Sequence, residues 1–157
     1  MVKFGTGGWR AIIGEEFTKE NIQKLALALC LKIKAEHVED QEIVIGYDRR
    51  FLSKEAVIWA CQIFGKQGIK VLFVDRSSPT PLIMFYVMKH ELPYGLMVTA
   101  SHNPAIYNGI KVFTKADGMR MSTRLPRSSS IWYRQRRSTR RMTARKVRCL
   151  LIHTWIW

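Results

Sequence analysis

Hydrophobic positions in the first three-quarters of the chain alternate between short continuous runs and longer stretches with helical spacing. A first apolar run, Ala11-Ile12-Ile13, ends at Gly14. Thr18 then stands where a helix cap belongs, with Phe17 before it and Ile22 placed to form a hydrophobic staple. Ile22, Leu25, Ala26, Leu29 and Ile33 repeat on one face and predict an amphipathic helix to about Glu36. Ile43-Val44-Ile45 reads as a strand buried on both sides, the pattern of a parallel sheet. Ser53 is expected to cap the next helix, with Leu52 and Val57 as a second staple. Val57, Ala60, Cys61 and Phe64 form its inner face, and Gly68 stops it. Val71-Leu72-Phe73-Val74 is the next buried strand, and the prolines of Ser77-Ser78-Pro79-Thr80-Pro81 open a helix over Leu82 to Lys89. Gly95 to Val98 and Ile110 to Phe113 close the pattern as two strands that can pair antiparallel. The order β, α, β, α, β, α, β, β predicts an α/β fold, a three-layer sandwich on a mixed sheet.

Between the last two strands lies a polar loop, Thr99-Ala100-Ser101-His102-Asn103-Pro104, followed by Ala105-Ile106-Tyr107-Asn108-Gly109. Ser, Asn and Pro favour turns, so such a loop often only connects strands. Held at both ends by buried strands, however, it is where a scaffold presents chemistry, and Ser101 is the candidate nucleophile. Gly46-Tyr47-Asp48-Arg49-Arg50 lies just beyond a strand's carboxyl end, where open α/β sheets bind ligands. Asp48 beside arginines also suits an ion pair that only fixes a loop. Arg10 follows the glycine-rich opening Phe4-Gly5-Thr6-Gly7-Gly8-Trp9, and its guanidinium suits phosphoryl oxygens.

Composition changes this picture only at the end of the chain. The 157 residues carry a formal charge of +14, but residues 1–114 hold 14 basic and 11 acidic side chains, a balance of +3. Residues 115–157 hold 12 and 1, a balance of +11. Residues 119–148 are rich in Arg, Ser and Thr without apolar periodicity, a composition that predicts disorder. The domain division is therefore 1–115 and 116–157. Taken at face value the tail is a basic nucleic-acid-binding arm with aromatics for stacking, which makes a non-enzymatic binding protein the alternative function. Codons favour another account. If Ala116 to Thr123 are encoded GCG-GAC-GGG-ATG-CGG-ATG-AGT-ACA, reading from the third base yields Gly-Arg-Asp-Ala-Asp-Glu-Tyr, so a frame slip near Lys115 or Ala116 explains the basicity and makes a nucleic-acid partner the weaker expectation. Three cysteines, Cys30, Cys61 and Cys149, have no paired spacing, and two fall in apolar helical patterns, as in a reduced cytoplasmic protein. No run of about 18 apolar residues argues for a membrane span. Oligomeric state is not legible here.

Thr-Ala-Ser-His-Asn-Pro followed by Asn-Gly-x-Lys closely resembles the phosphoserine loop of the α-D-phosphohexomutases, the phosphoglucomutase and phosphomannomutase family. Phe4-Gly5-Thr6-Gly7-Gly8-Trp9-Arg10, Gly46-x-Asp48-x-Arg50 and Pro79-Thr80-Pro81 resemble further segments of the family's first domain, from Val2 to about Lys115. The resemblance implies reversible phosphoryl transfer between the 1 and 6 positions of a hexose phosphate through a phosphoserine at Ser101 and a hexose bisphosphate. It implies that Arg10 and Lys111 meet phosphate, with Lys111 also able to shuttle a proton, and that His102 supports the loop and proton transfer. Adjacent residues on strand-like backbone point to opposite sides, so a direct Ser101–His102 pair is not assured. Asn103, Asn108, Asp48 and Arg50 are implied to bind substrate phosphate or to support the loop. The implied cofactor is Mg²⁺, with the phosphate on Ser101 as one ligand and an Asp-rich loop of a second domain giving the rest. That metal loop, the sugar-recognition segment Gly-Glu-x-Ser-Gly and the phosphate loop Arg-x-Ser-Gly-Thr of later domains are not found in the sequence. Little or no turnover is therefore expected from these residues alone, and sugar specificity stays open.

Overall fold

A computed structural model describes residues 8–115 and 149–152. Phe4 to Gly7 and the Arg/Ser-rich stretch expected to be disordered lie outside the described residues. The elements are β1 (Trp9–Ile12), α1 (Lys19–Ala35), β2 (Glu42–Tyr47), α2 (Ser53–Lys66), β3 (Lys70–Ser77), α3 (Thr80–Lys89), β4 (Tyr94–Val98), β5 (Tyr107–Thr114) and β6 (Cys149–Ile152). They form one sheet in the order β1-β5-β4-β2-β3-β6. β2 runs parallel to β3 and β4, while β5 runs antiparallel to both β4 and β1, so the sheet is mixed as its pattern predicts. The strand at Cys149–Ile152 is the element that the reading of the tail did not anticipate. It pairs parallel with β3, from Val71↔Cys149 to Val74↔Ile152.

Alternation along the strands sorts the core onto two faces. Ile43, Ile45, Leu96, Val98, Ile110 and Val112 pack with the inner faces of α1 and α2. Val44, Met97 and Phe113 point the other way and pack with Ile83 and Val87 of α3. Helices on both faces make the three layers. The close fit of α3 depends on Gly95, where an added Cβ would stand 2.4 Å from Val87 Cγ2. Phe85 and Met88 on the outer side of α3 stay about half exposed.

Local signals account for most boundaries. Thr18 caps α1, its side chain accepting from the Asn21 N–H, and Phe17 and Ile22 are both buried. Gly68, at φ +80°, follows α2 as its stop. The start of α2 departs from expectation. Leu52 is the cap, in a left-handed conformation with φ 60° and no side-chain capping bond, and Ser53 is the first helical residue. The Ser53 hydroxyl is engaged elsewhere, donating to Asp48 Oδ1 and accepting from Asn108 Nδ2 at 2.9 Å each. Cys30 and Cys61 are buried in the α1–α2 core, and burial pushes the Cys30 thiol up to about 12.

Candidate functional site

Register places the candidate residues before any side chain is considered. Thr99 donates its N–H to the Gly109 carbonyl at 2.9 Å, extending the β4–β5 pairing by one residue, and Gly109 lies opposite Arg10 on β1. Arg10, Gly109 and Thr99 thus form one row across three strands, with Ser101 two residues past its end. Lys111 sits one position further along the same face of β5, opposite Met97.

Ser101 is exposed at a turn and holds a left-handed backbone, φ 55°. Its backbone is therefore not strand-like, which removes the geometric premise for setting Ser101 and His102 on opposite sides. His102 is also exposed. Two contacts fix the Ser101 backbone. Its N–H donates to Thr99 Oγ1 at 2.9 Å, and its carbonyl accepts from Arg50 Nη2 at 2.8 Å. Sequence reasoning did not single out Thr99. The Thr-x-Ser spacing was the available signal, since a threonine hydroxyl readily accepts from a backbone N–H two residues on.

Arg50, Asp48 and Asn108 engage the loop's frame. Arg50 Nη1 donates to the carbonyls of Pro104 and Tyr107 at 2.9 Å each, and Nη2 also reaches the Asn103 carbonyl. Asp48 Oδ1 accepts from the Arg50 N–H and from Ser53 Oγ, while Oδ2 lies 3.6 Å from Arg50 Nε. Asn108 is fully buried and donates to Ser53 Oγ and to the Phe51 carbonyl, and its Oδ1 accepts from the Gly109 N–H. Asn103 donates its N–H to the Ala100 carbonyl, and its side-chain Oδ1 is buried without a partner.

Arg10 and Lys111 have the opposite character. Arg10 Nε is buried with no hydrogen-bond partner. Burial first, and then the nearby Arg10 charge, hold Lys111 below the ordinary lysine value, with Asp48 pulling the other way. Two cations on one sheet face, with Arg10 Nε unpartnered and an exposed serine turn close in register, are suited to an anionic ligand. They do not make a magnesium site. Among the described residues no three His, Cys, Asp or Glu side chains cluster as metal ligands, and the Asp48 carboxylate is already engaged. No helix among the described residues is long and apolar enough to cross a membrane.

Comparison with known proteins identifies the domain. Residues 1–125 match the family model described as phosphoglucomutase/phosphomannomutase, alpha/beta/alpha domain I. A phosphoglucomutase of Staphylococcus haemolyticus is 40% identical over 121 residues, covering 75% of this chain and 22% of the relative; one from Staphylococcus saprophyticus is 35% identical over the same length. The chain thus spans about a fifth of the length of the curated relatives it matches. A crystal structure of a protein described as a candidate phosphomannomutase from Thermus thermophilus superposes with a TM-score of 0.68 and 34% identity, over 73% of this chain and 26% of that one. Paramecium parafusin, at 19% identity and a TM-score of 0.64, shares the fold over 73% of this chain and 24% of its own.

Proposed function

Because this chain belongs to the phosphoglucomutase/phosphomannomutase family, we propose that Ser101 is the phosphoryl carrier of a mutase interconverting hexose 1-phosphates and hexose 6-phosphates. The observation that carries this reading is the exposed Ser101, two residues past the end of the row that holds Arg10, with Lys111 on the same sheet face. In one half-reaction a sugar hydroxyl attacks phosphorus on phosphorylated Ser101. A new P–O bond to the sugar forms, the P–Oγ bond breaks, and the hydroxyl proton ends on Ser101 Oγ. The hexose bisphosphate then returns its other phosphoryl group to Ser101 by the same exchange in reverse.

Arg10 and Lys111 offset the charge spread over the phosphoryl oxygens, and stabilising that charge is most of what such a transfer requires. A lowered Lys111 pKa also makes it a better proton relay than an ordinary lysine. His102 is the second proton carrier in reach of the same turn. Asn103, Asn108, Asp48 and Arg50 act on the loop rather than on substrate. Mg²⁺, when bound, would neutralise phosphoryl charge; its remaining ligands would have to come from outside the described residues. The reaction belongs in the cytoplasm, in keeping with the buried thiols of Cys30 and Cys61.

The test is to incubate the 157-residue chain with a hexose 1,6-bisphosphate and map phosphate by mass spectrometry. Phosphate on Ser101, absent from Ser101→Ala, is expected, with little or no steady conversion of hexose 1-phosphate. Uptake that persists in Ser101→Ala, or no uptake at Ser101, overturns the proposal.

A further inference from the structure

We infer that Arg50 is a positioning residue that straps the Ser101 turn into its working shape through backbone carbonyls; the functional half of this inference rests on the phosphoryl-carrier reading of Ser101. The guanidinium reaches four carbonyls within seven residues of loop, those of Ser101, Asn103, Pro104 and Tyr107. Its Nε faces the Asp48 carboxylate. A guanidinium has five N–H donors in a rigid fork, and here four are spent on the loop and the fifth points at Asp48. Arg50 therefore has no donor left for a phosphate, unlike Arg10, whose Nε is unpartnered.

The strap is anchored from behind. Asn108, fully buried on β5, donates to Ser53 Oγ; Ser53 donates to Asp48; Asp48 accepts the Arg50 N–H and lies against its Nε. This line of contacts crosses from β5 through the first residue of α2 to the end of β2 and back to the loop. A non-glycine residue in the left-handed region is held against a steric penalty and persists only where its surroundings over-determine it. Ser101 meets that condition because its N–H is held by Thr99 and its carbonyl by Arg50. The direction of its Cα–Cβ bond follows from those two bonds, which leaves the three χ1 rotamers as the remaining freedom of Oγ. Lysine cannot substitute, since a single ammonium cannot reproduce a planar fork spanning four acceptors.

Hydrogen exchange of the full chain tests the strap directly. The amides of Ser101, Asn103 and Tyr107 all donate within the loop, and those of α1 serve as the internal reference. Arg50→Ala and Arg50→Lys should raise exchange at the three loop amides roughly tenfold or more without changing α1. Guanidinium ion at sub-denaturing concentration should restore protection in Arg50→Ala. Phosphoryl uptake at Ser101 from the hexose bisphosphate should fall in both variants and return with guanidinium in Arg50→Ala. Unchanged loop exchange in either variant overturns the strap, as does a loss of protection spread evenly over the chain. If Arg50→Ala does not fold, the Arg50→Lys exchange pattern decides. If the wild-type chain takes no phosphate, the carrier reading fails while the exchange data still settle whether Arg50 holds the turn.

Discussion

The Ser101 turn and the Arg10–Lys111 pair occupy neighbouring positions on the same three strands, yet they are built in opposite ways. Around the turn most polar groups are matched, the buried Asn103 Oδ1 excepted: Arg50 spans four carbonyls, Thr99 holds an N–H, and Asn108 makes three hydrogen bonds in full burial. Arg10 and Lys111 share a face, repel each other, and leave Arg10 Nε without a partner. The turn is held by its own hydrogen bonds, whereas the two cations keep unspent charge. A phosphoryl-transfer site needs both, since precise placement and unspent positive charge contribute separately to rate.

Substitutions should separate the two regions. The largest loss of stability is expected from Gly109→Ala, whose Cβ would stand 2.1 Å from the Trp9 carbonyl oxygen across the β1–β5 pair. Displacing β1 should cost on the order of 3–5 kcal/mol in a urea melt. Asn108→Ala follows, at about 2–3 kcal/mol, because it strips partners from Ser53, from the Phe51 carbonyl and from the Gly109 N–H. Lys111→Met and Arg10→Met should leave the melt within about 0.5 kcal/mol of wild type. The same two variants should slow phosphate uptake by Ser101 by roughly tenfold or more. A Lys111→Met variant as unstable as Asn108→Ala would erase the distinction.

The smallest effect is a titration. Because the Lys111 pKa is lowered by folding, its charged form weakens the native state below the folded pKa. That penalty is relieved as pH rises from the folded pKa towards the ordinary lysine value. Wild type should therefore gain stability relative to Lys111→Met across that alkaline window. Arg10→Met should narrow the window by raising the Lys111 pKa, read from its side-chain NMR signals.

Much of the scaffold was legible because its determinants are side chains with a period. The staple and cap at Phe17, Thr18 and Ile22 marked α1, and continuous apolar runs marked β2, β3 and β4. Ser101, Arg10 and Lys111 stood out as residue types suited to phosphate, in segments resembling a family's loops, and the sheet brings them to one end of three strands. What Arg50 does was not legible. Its partners are carbonyl oxygens, which every residue carries and which leave no mark in a sequence. Ser53 was misplaced for a related reason: a hydroxyl before an apolar helical stretch is an ordinary cap signal, and only the fold shows that Asp48 and Asn108 claim it. The strand at Cys149–Ile152 follows a long basic segment, where nothing local points to pairing with β3.

The left-handed backbone at Ser101 sets fold stability against reactivity at a single residue. Glycine adopts φ 55° without the steric penalty that serine carries. Ser101→Gly should therefore melt at the same or a slightly higher denaturant concentration than wild type, by up to about 1 kcal/mol, while accepting no phosphate at all. His37, Leu52 and Glu91 share this left-handed backbone, so the conformation alone assigns no role; at Ser101 it means that the one substitution that relaxes the backbone also removes the hydroxyl.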